Sequence, residues 1–318
     1  MKRDLPTPGT PLRIGTRGSP LARAQAQETC ARLMAAFDLP EAAFEIVVIR
    51  TTGDDRALIA SDTPLKELGG KGLFTREIET ALLDGTIDIA VHSMKDMPVM
   101  QPPGLVLDTF LPREDARDAF ISPQASALAA LPEGARVGTS SLRRRAQVLN
   151  THPHLRVVEF RGNVQTRLKK LDDGVAACTF LAMAGLNRLG RTGLARSPLA
   201  PEEMLPAVAQ GAIGVERRET DLRMAEMLEP LNDRPTAERL AAERSFLATL
   251  DGSCQTPIAG LAELEGATLR LRGEILRPDG SERLGLDETA PVEDGAKLGA
   301  AMAWKLLESA GPGFFDWS

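Results

Sequence analysis

The chain has 318 residues, room for two or three domains, and its 43% apolar and 26% charged residues read as soluble and globular, with real cores. A net charge of −6 opposes a general nucleic-acid binder. No apolar run reaches the length of a membrane span, and three widely spaced cysteines oppose a disulfide framework and fit a reducing cytoplasm.

The opening "MKRDLPTPGTPLRIGTRG" carries charges without the apolar centre of a secretory signal, so a cytoplasmic location is expected. "LRIGTR" reads as a strand. Ser19-Pro20 supplies an N-cap and first-turn proline for a helix to about Phe37, with Cys30, Leu33, Met34 and Phe37 on one face. "FEIVVI" is a second strand, "LFTREIETALLDG" a helix ending at Gly85, and "IDIAVHS" a buried strand. "ARVGTS", "LRVVEF" and "AACTFLA" are three more strands, each followed by a helical stretch, with Cys178 in the last as a core residue. Alternating elements predict an α/β fold with mostly parallel sheets.

Beyond about Pro230 the texture changes. "TAERLAAERSFLATLDG" is one helix, "TLRLRGEIL" alternates strictly, "RPDGSE" turns into "RLGLDETA", and "AKLGAAMAWKLLESAG" closes as an amphipathic helix. A small α+β domain therefore begins near Arg234. The segments 111–118 and 228–235 are candidate hinges.

Four strand-to-helix junctions share one design. "GTRGS", "VHSMKD", "GTSSLRRR" and "FRGNVQTR" each set small or hydroxylated residues beside Arg or Lys. Helix N-termini offer free N–H groups, and arginine offers a fork suited to carboxylate. Between residues 136 and 170 lie nine basic residues and one acid, Glu159. Such a field in an acidic chain points to one polyanionic ligand. "GGKGLFTRE" lacks P-loop spacing and suits a mobile loop whose Lys71 and Phe74 reach inward. Asp96, at a strand end beside Lys95, is placed for acid–base work or for stabilising a cation. Cys254 sits in a turn of small residues. None of His92, His152 and His154 forms a recognisable Cys–His signature with it, and no Cys/His cluster suits a metal. A covalent attachment point or a small buried turn residue remains.

Eight motifs occur together and in order: "GTRGSPLA", "GGKGLF", "DIAVHSMKDMP", "VGTSSLRRR", "RGNVQTRLKKLD", "AGLNRLG", "LPAVAQGAIG" and "GSCQTPIAG". From about Arg13 to Gly260 the chain resembles the porphobilinogen deaminase (hydroxymethylbilane synthase) family of transferases. The resemblance implies two periplasmic-binding-protein type II-like lobes with the active site between them, plus a small α+β C-terminal domain. It divides the chain into a discontinuous first domain (10–112 and 212–230), an Arg-rich second (113–211) and a third (234–318) bearing the cofactor cysteine.

It also implies that Cys254 holds a dipyrromethane primer by a thioether. Four porphobilinogens would be added head to tail with loss of ammonia, and hydrolysis would free hydroxymethylbilane for uroporphyrinogen-III synthase. Ammonia loss leaves an electron-poor azafulvene, whose positive charge Asp96 would stabilise. By the same likeness Ser93, Lys95, Asp96, Ser141, Arg143, Arg144, Gly162 and Arg167 bind the cofactor. Arg17, Ser19, Arg161, Arg188 and Gln210 bind substrate, and Lys71 and Phe74 belong to the active-site loop. No metal, nucleic acid or membrane is implied, and a monomer is. In the glycine-rich segment Glu67 stands where relatives often have lysine, with Lys66 one earlier. The alternative from another class is a non-catalytic anion-binding protein of the same two-lobe type, which would leave Cys254 unexplained.

Overall fold

The computed structural model describes residues 5–52, 75–194, 197–252, 256–311 and 313–314. The chain forms two compact units, Met1–Arg113 with Ala212–Ala237, and Glu114–Gly211 with Glu238–Ser318.

The first unit is built on β1 (Leu12–Arg17), β2 (Phe44–Ile49), β3 (Ile89–Ser93), β4 (Leu105–Phe110) and a late strand, β10 (Ile213–Arg218). Their order is β2-β1-β3-β10-β4, with β1 parallel to β2 and β3, and β10 antiparallel to β3 and β4. β3 is buried in every position but its last because it is central and covered on both faces.

Helix α1 (Pro20–Phe37) lies on one face. Ser19 Oγ accepts from Ala22 N at 3.2 Å, and Asp38 ends the helix at φ 53°. Its Ala26, Cys30 and Leu33 pack with Leu12, Ile14, Ile213 and Val215. Helix α2 (Arg76–Leu83) covers the other face, where Ile78 and Leu82 meet Ile87, Ala90 and Leu105. The residues of that predicted helix before Thr75 lie outside the described residues. The expected second hinge is ordered: Glu229–Leu231 is a 3-10 turn, and Asn232 Oδ1 accepts from Phe110 N at 3.0 Å.

The second unit repeats the plan. Strands β5 (Asp118–Ile121), β6 (Arg136–Gly138), β7 (Arg156–Val158), β8 (Cys178–Ala182) and β9 (Ser197–Pro198) run β7-β6-β8-β5-β9. β6 is parallel to β7 and β8, and β5 antiparallel to β8. Helices α3 (Leu142–Thr151), α4 (Val164–Asp172) and α5 (Met183–Arg188) connect them. Two lobes of one topology are thus present, as expected of the type II arrangement. Cys178 is fully buried and its thiol is pushed up to about 12 by desolvation, so it is a core residue.

After helix α6 (Leu222–Leu228) of the first unit and α7 (Arg234–Thr249), a three-stranded antiparallel sheet follows: β11 (Ile258–Glu265), β12 (Thr268–Leu276) and β13 (Arg283–Pro291), closed by α8 (Gly295–Ala310). The strict alternation expected of β12 fails beyond Arg270, where every residue is buried. The reason is that β12 is the middle strand and its second half is covered from both sides. Gly273 stacks under the Phe246 ring, and Glu274 receives the side chain of Gln147 from α3. Glu243 of α7 ties this domain to the second lobe: its carboxylate accepts from Ala209 N at 2.6 Å and Ala262 N at 2.7 Å.

Candidate active site

In the first unit the ends of β1 and β3 bring five expected residues together. Arg17 ends β1, Ser19 caps α1, Ser93 ends β3, and Lys95 and Asp96 form the 3-10 turn Met94–Asp96 that follows. Arg17, Ser19, Gln25, His92, Ser93 and Asp96 line one polar cavity of about 70 Å³. Arg17 Nη1 is 3.9 Å from Asp96 Oδ2. Asp96 keeps 37% of its side chain exposed, so a ligand can reach it. Ser93 Oγ is 2.8 Å from Gln25 Nε2 and 3.0 Å from Gln25 Oε1.

The turn is backed by β10. Met94 N donates to Ala212 O at 3.0 Å, and the Met94 sulfur fills the space a side chain at Gly214 would need. Gln25 and Gly214 were missed in the sequence. A glutamine inside a helix reads as solvated, and Gly214 is 120 residues from the turn it accommodates.

In the second unit Arg143 and Arg144 are organised by Asp118, which sequence reasoning also missed. Arg143 Nη2 donates to Asp118 Oδ2 at 2.6 Å and Arg144 Nη2 to Asp118 Oδ1 at 2.7 Å. Gln210 Nε2 reaches the same carboxylate at 2.9 Å and Ala116 O at 2.7 Å. Burial alone would raise the Asp118 pKa, but the charges and hydrogen bonds of the two arginines outweigh it, and the net direction is down. Ser141 Oγ caps α3 by accepting from Arg144 N at 3.4 Å.

Gly162 sits at φ +117°, and a Cβ there would fall 2.6 Å from Thr166, so only glycine fits. Its carbonyl accepts from Arg167 Nε at 2.9 Å. Arg188 Nη1 donates to Gly211 O at 3.1 Å. Arg161 is 8% exposed, with Nε 3.8 Å from Glu159. Arg143 Nε and Arg161 Nε are buried without a hydrogen-bond partner among the described residues. Cys254, Lys71 and Phe74 lie outside the described residues.

A family model described as "Porphobilinogen deaminase, dipyromethane cofactor binding domain" matches residues 12–226, and one described as "Porphobilinogen deaminase, C-terminal domain" matches residues 237–308. The chain is 65% identical over 314 residues to a porphobilinogen deaminase of Paracoccus denitrificans (strain Pd 1222), covering 99% of both chains. It is 53% identical over 315 residues to a chloroplastic porphobilinogen deaminase of Pisum sativum, covering 96% of this chain and 83% of that one. Among solved structures, an ABC transporter periplasmic substrate-binding protein of Coxiella burnetii is similar at 16% identity and a TM-score of 0.40, covering 73% of this chain and 96% of that one.

Proposed function

The chain belongs to the porphobilinogen deaminase family, and from that premise we propose that Asp96 carries its chemistry and Cys254 its primer. The reaction is a transferase step of tetrapyrrole biosynthesis. Four porphobilinogen units are condensed head to tail, ammonia leaves at each step, and hydrolysis releases hydroxymethylbilane. The cofactor is dipyrromethane, which when bound supplies the free pyrrole carbon that each chain grows from.

The observation that carries the assignment is the convergence of Arg17, Ser93 and Asp96 on one polar cavity at the ends of β1 and β3. Loss of ammonia from an aminomethylpyrrole leaves positive charge spread to the ring nitrogen. A carboxylate within hydrogen-bonding reach lowers the energy of that cation, and Asp96 is the accessible carboxylate lining the cavity. Arg17 and Ser19 offer donors to a carboxylate arm of the incoming unit, and Ser93 and Lys95 do so for the primer. In the second unit Ser141, Arg143, Arg144, Gly162 and Arg167 serve the primer, with Arg161, Arg188 and Gln210 for substrate. Lys71 and Phe74 act from the loop, and the chain divides into three domains at the boundaries expected above.

The enzyme works as a cytoplasmic monomer and passes its product to uroporphyrinogen-III synthase. No helix among the described residues is long and apolar enough to cross a membrane.

Intact mass tests the attachment. The purified protein should exceed its polypeptide mass by two pyrrole units, and Cys254→Ser should not. A Cys254→Ser protein that carries the adduct and turns over normally refutes the attachment site.

A further inference from the structure

Three ionisable side chains lie behind the Ser93–Asp96 turn and have no part in the reading above. His92 on β3 and Glu216 on β10 are diagonal cross-strand neighbours. Gly214 pairs with His92 and Ala90 with Glu216, which puts both side chains on one face of the sheet. His92 Nε2 is 3.0 Å from Glu216 Oε2; Glu216 is fully buried and His92 nearly so. The third group, Glu79, comes from α2, which packs on this face through Ile78 and Leu82. Burial pushes the Glu79 carboxyl up, and the charge of Glu216 adds to that, against opposing effects of the Thr75 hydroxyl and His92.

This arrangement is costly. Glu216 Oε1 is buried with no hydrogen-bond partner among the described residues, and a buried acceptor left unmatched loses its hydration without return. Apolar residues of similar volume would serve packing as well or better. The placement suggests another use. His92 immediately precedes Ser93, and it lines the same cavity as Arg17 and Asp96. Successive strand residues point to opposite faces, so the end of β3 is gripped from both sides. Gln25 of α1 holds Ser93, and Glu216 of β10 holds His92. The turn that carries Asp96 is only three residues long, so its direction depends on how the strand before it is held.

We propose that His92, held by Glu216, is a positioning residue that fixes the Ser93–Asp96 turn and so aims the Asp96 carboxylate at the reacting pyrrole. The proposal rests on the assignment of catalysis to Asp96, and the two can fail separately.

The test compares His92→Phe, His92→Gln and Asp96→Asn in the cofactor-loaded enzyme. Loading is checked by intact mass, folding by thermal midpoint, and kcat and KM for porphobilinogen are measured separately. Phenylalanine keeps ring volume and loses the hydrogen bond; glutamine keeps a donor for Glu216. A misaimed group costs about 10²-fold in rate. His92→Phe should therefore lose about that much kcat with KM within about threefold and cofactor still attached, while His92→Gln recovers most of it. Should His92→Phe not fold, Glu216→Leu replaces it, with the same expected split. A folded His92→Phe (or Glu216→Leu) enzyme with ordinary kcat overturns the proposal, and so does His92→Gln failing as badly as His92→Phe. Asp96→Asn with ordinary kcat overturns the assignment beneath it instead.

Discussion

Arg143 Nη2 lies 2.6 Å from Asp118 Oδ2, where neither side chain meets water. Arg144 shares the carboxylate, so two guanidiniums and one carboxylate form a buried group with one net positive charge. The group is therefore preassembled and still attracts an anion. Arg143 is further held by Gln147 Oε1 at 2.9 Å and Leu205 O at 2.8 Å.

Asp118→Asn should destabilise the second unit severely. It removes the charge that compensates two buried arginines, a loss of about 3–5 kcal/mol when one partner of a buried pair goes. Because the Asp118 carboxyl is held below its ordinary range, its contribution is present above the unfolded-state value of 3.8 and is lost as pH falls through the lower folded value. Urea unfolding at neutral pH checks this; a midpoint within error of the parent would show that the arginines do not need the carboxylate.

Asp96→Asn keeps shape and removes charge. The cation formed on ammonia loss would then lose its counter-charge, and kcat should fall by about 10²–10³-fold or more, the cost of removing one preorganised stabilising group. Asp96 is partly exposed, so the thermal midpoint should hardly move. Single-turnover kinetics with porphobilinogen, read beside a melting curve, separates the two effects. A large fall in midpoint, or a near-normal rate, counts against a catalytic role.

Glu79 gives a pH signature. Its folded carboxyl is raised above the ordinary value of 4.5, mainly by burial. A raised group contributes stability that is fully present below the unfolded value and lost as pH rises through the folded one. Glu79→Gln mimics the protonated form and removes that dependence. Its melting temperature should match the parent near pH 4 and exceed it near neutrality. Calorimetry from pH 4 to 8 decides; parallel curves for the two proteins would mean that Glu79 titrates alike folded and unfolded.

What the sequence could and could not reveal follows range of interaction. α1 was legible because Ser19, Pro20 and the Cys30–Leu33 stripe are local signals. β1, β3 and β8 were legible as short apolar runs between turn residues. β4, β5, β9, β10 and β11 were not assigned. β10 exists as a central strand only because β3 and β4 accept it from over 100 residues away. The same distance hides side-chain partners: His92 and Glu216 are 124 residues apart, and Asp118 stands 25 before Arg143 in a stretch that reads as a hinge. Arginines at junctions announced an anion site, whereas the carboxylate that holds Arg143 and Arg144 carried no local mark.

Gly214 tests how tightly β10 sets the turn. A Cβ there would fall 2.2 Å from Met94 Sδ and 2.9 Å from Leu107 Cδ1, so both must give, and Met94 by more. Methionine is the more adaptable, and it is the first residue of the turn that ends at Asp96. Gly214→Ala should thus cost about 1–3 kcal/mol by overpacking and should also lower kcat, because relief comes at the expense of the turn. Met94→Ala in the same chain empties the space. If the clash runs through Met94, the double variant should recover more stability than the two single changes predict by addition, a coupling of about 0.5–3 kcal/mol. Strict additivity would place the strain at Leu107 instead, and a Gly214→Ala enzyme of ordinary kcat would show that the Asp96 turn is not set by its packing on β10.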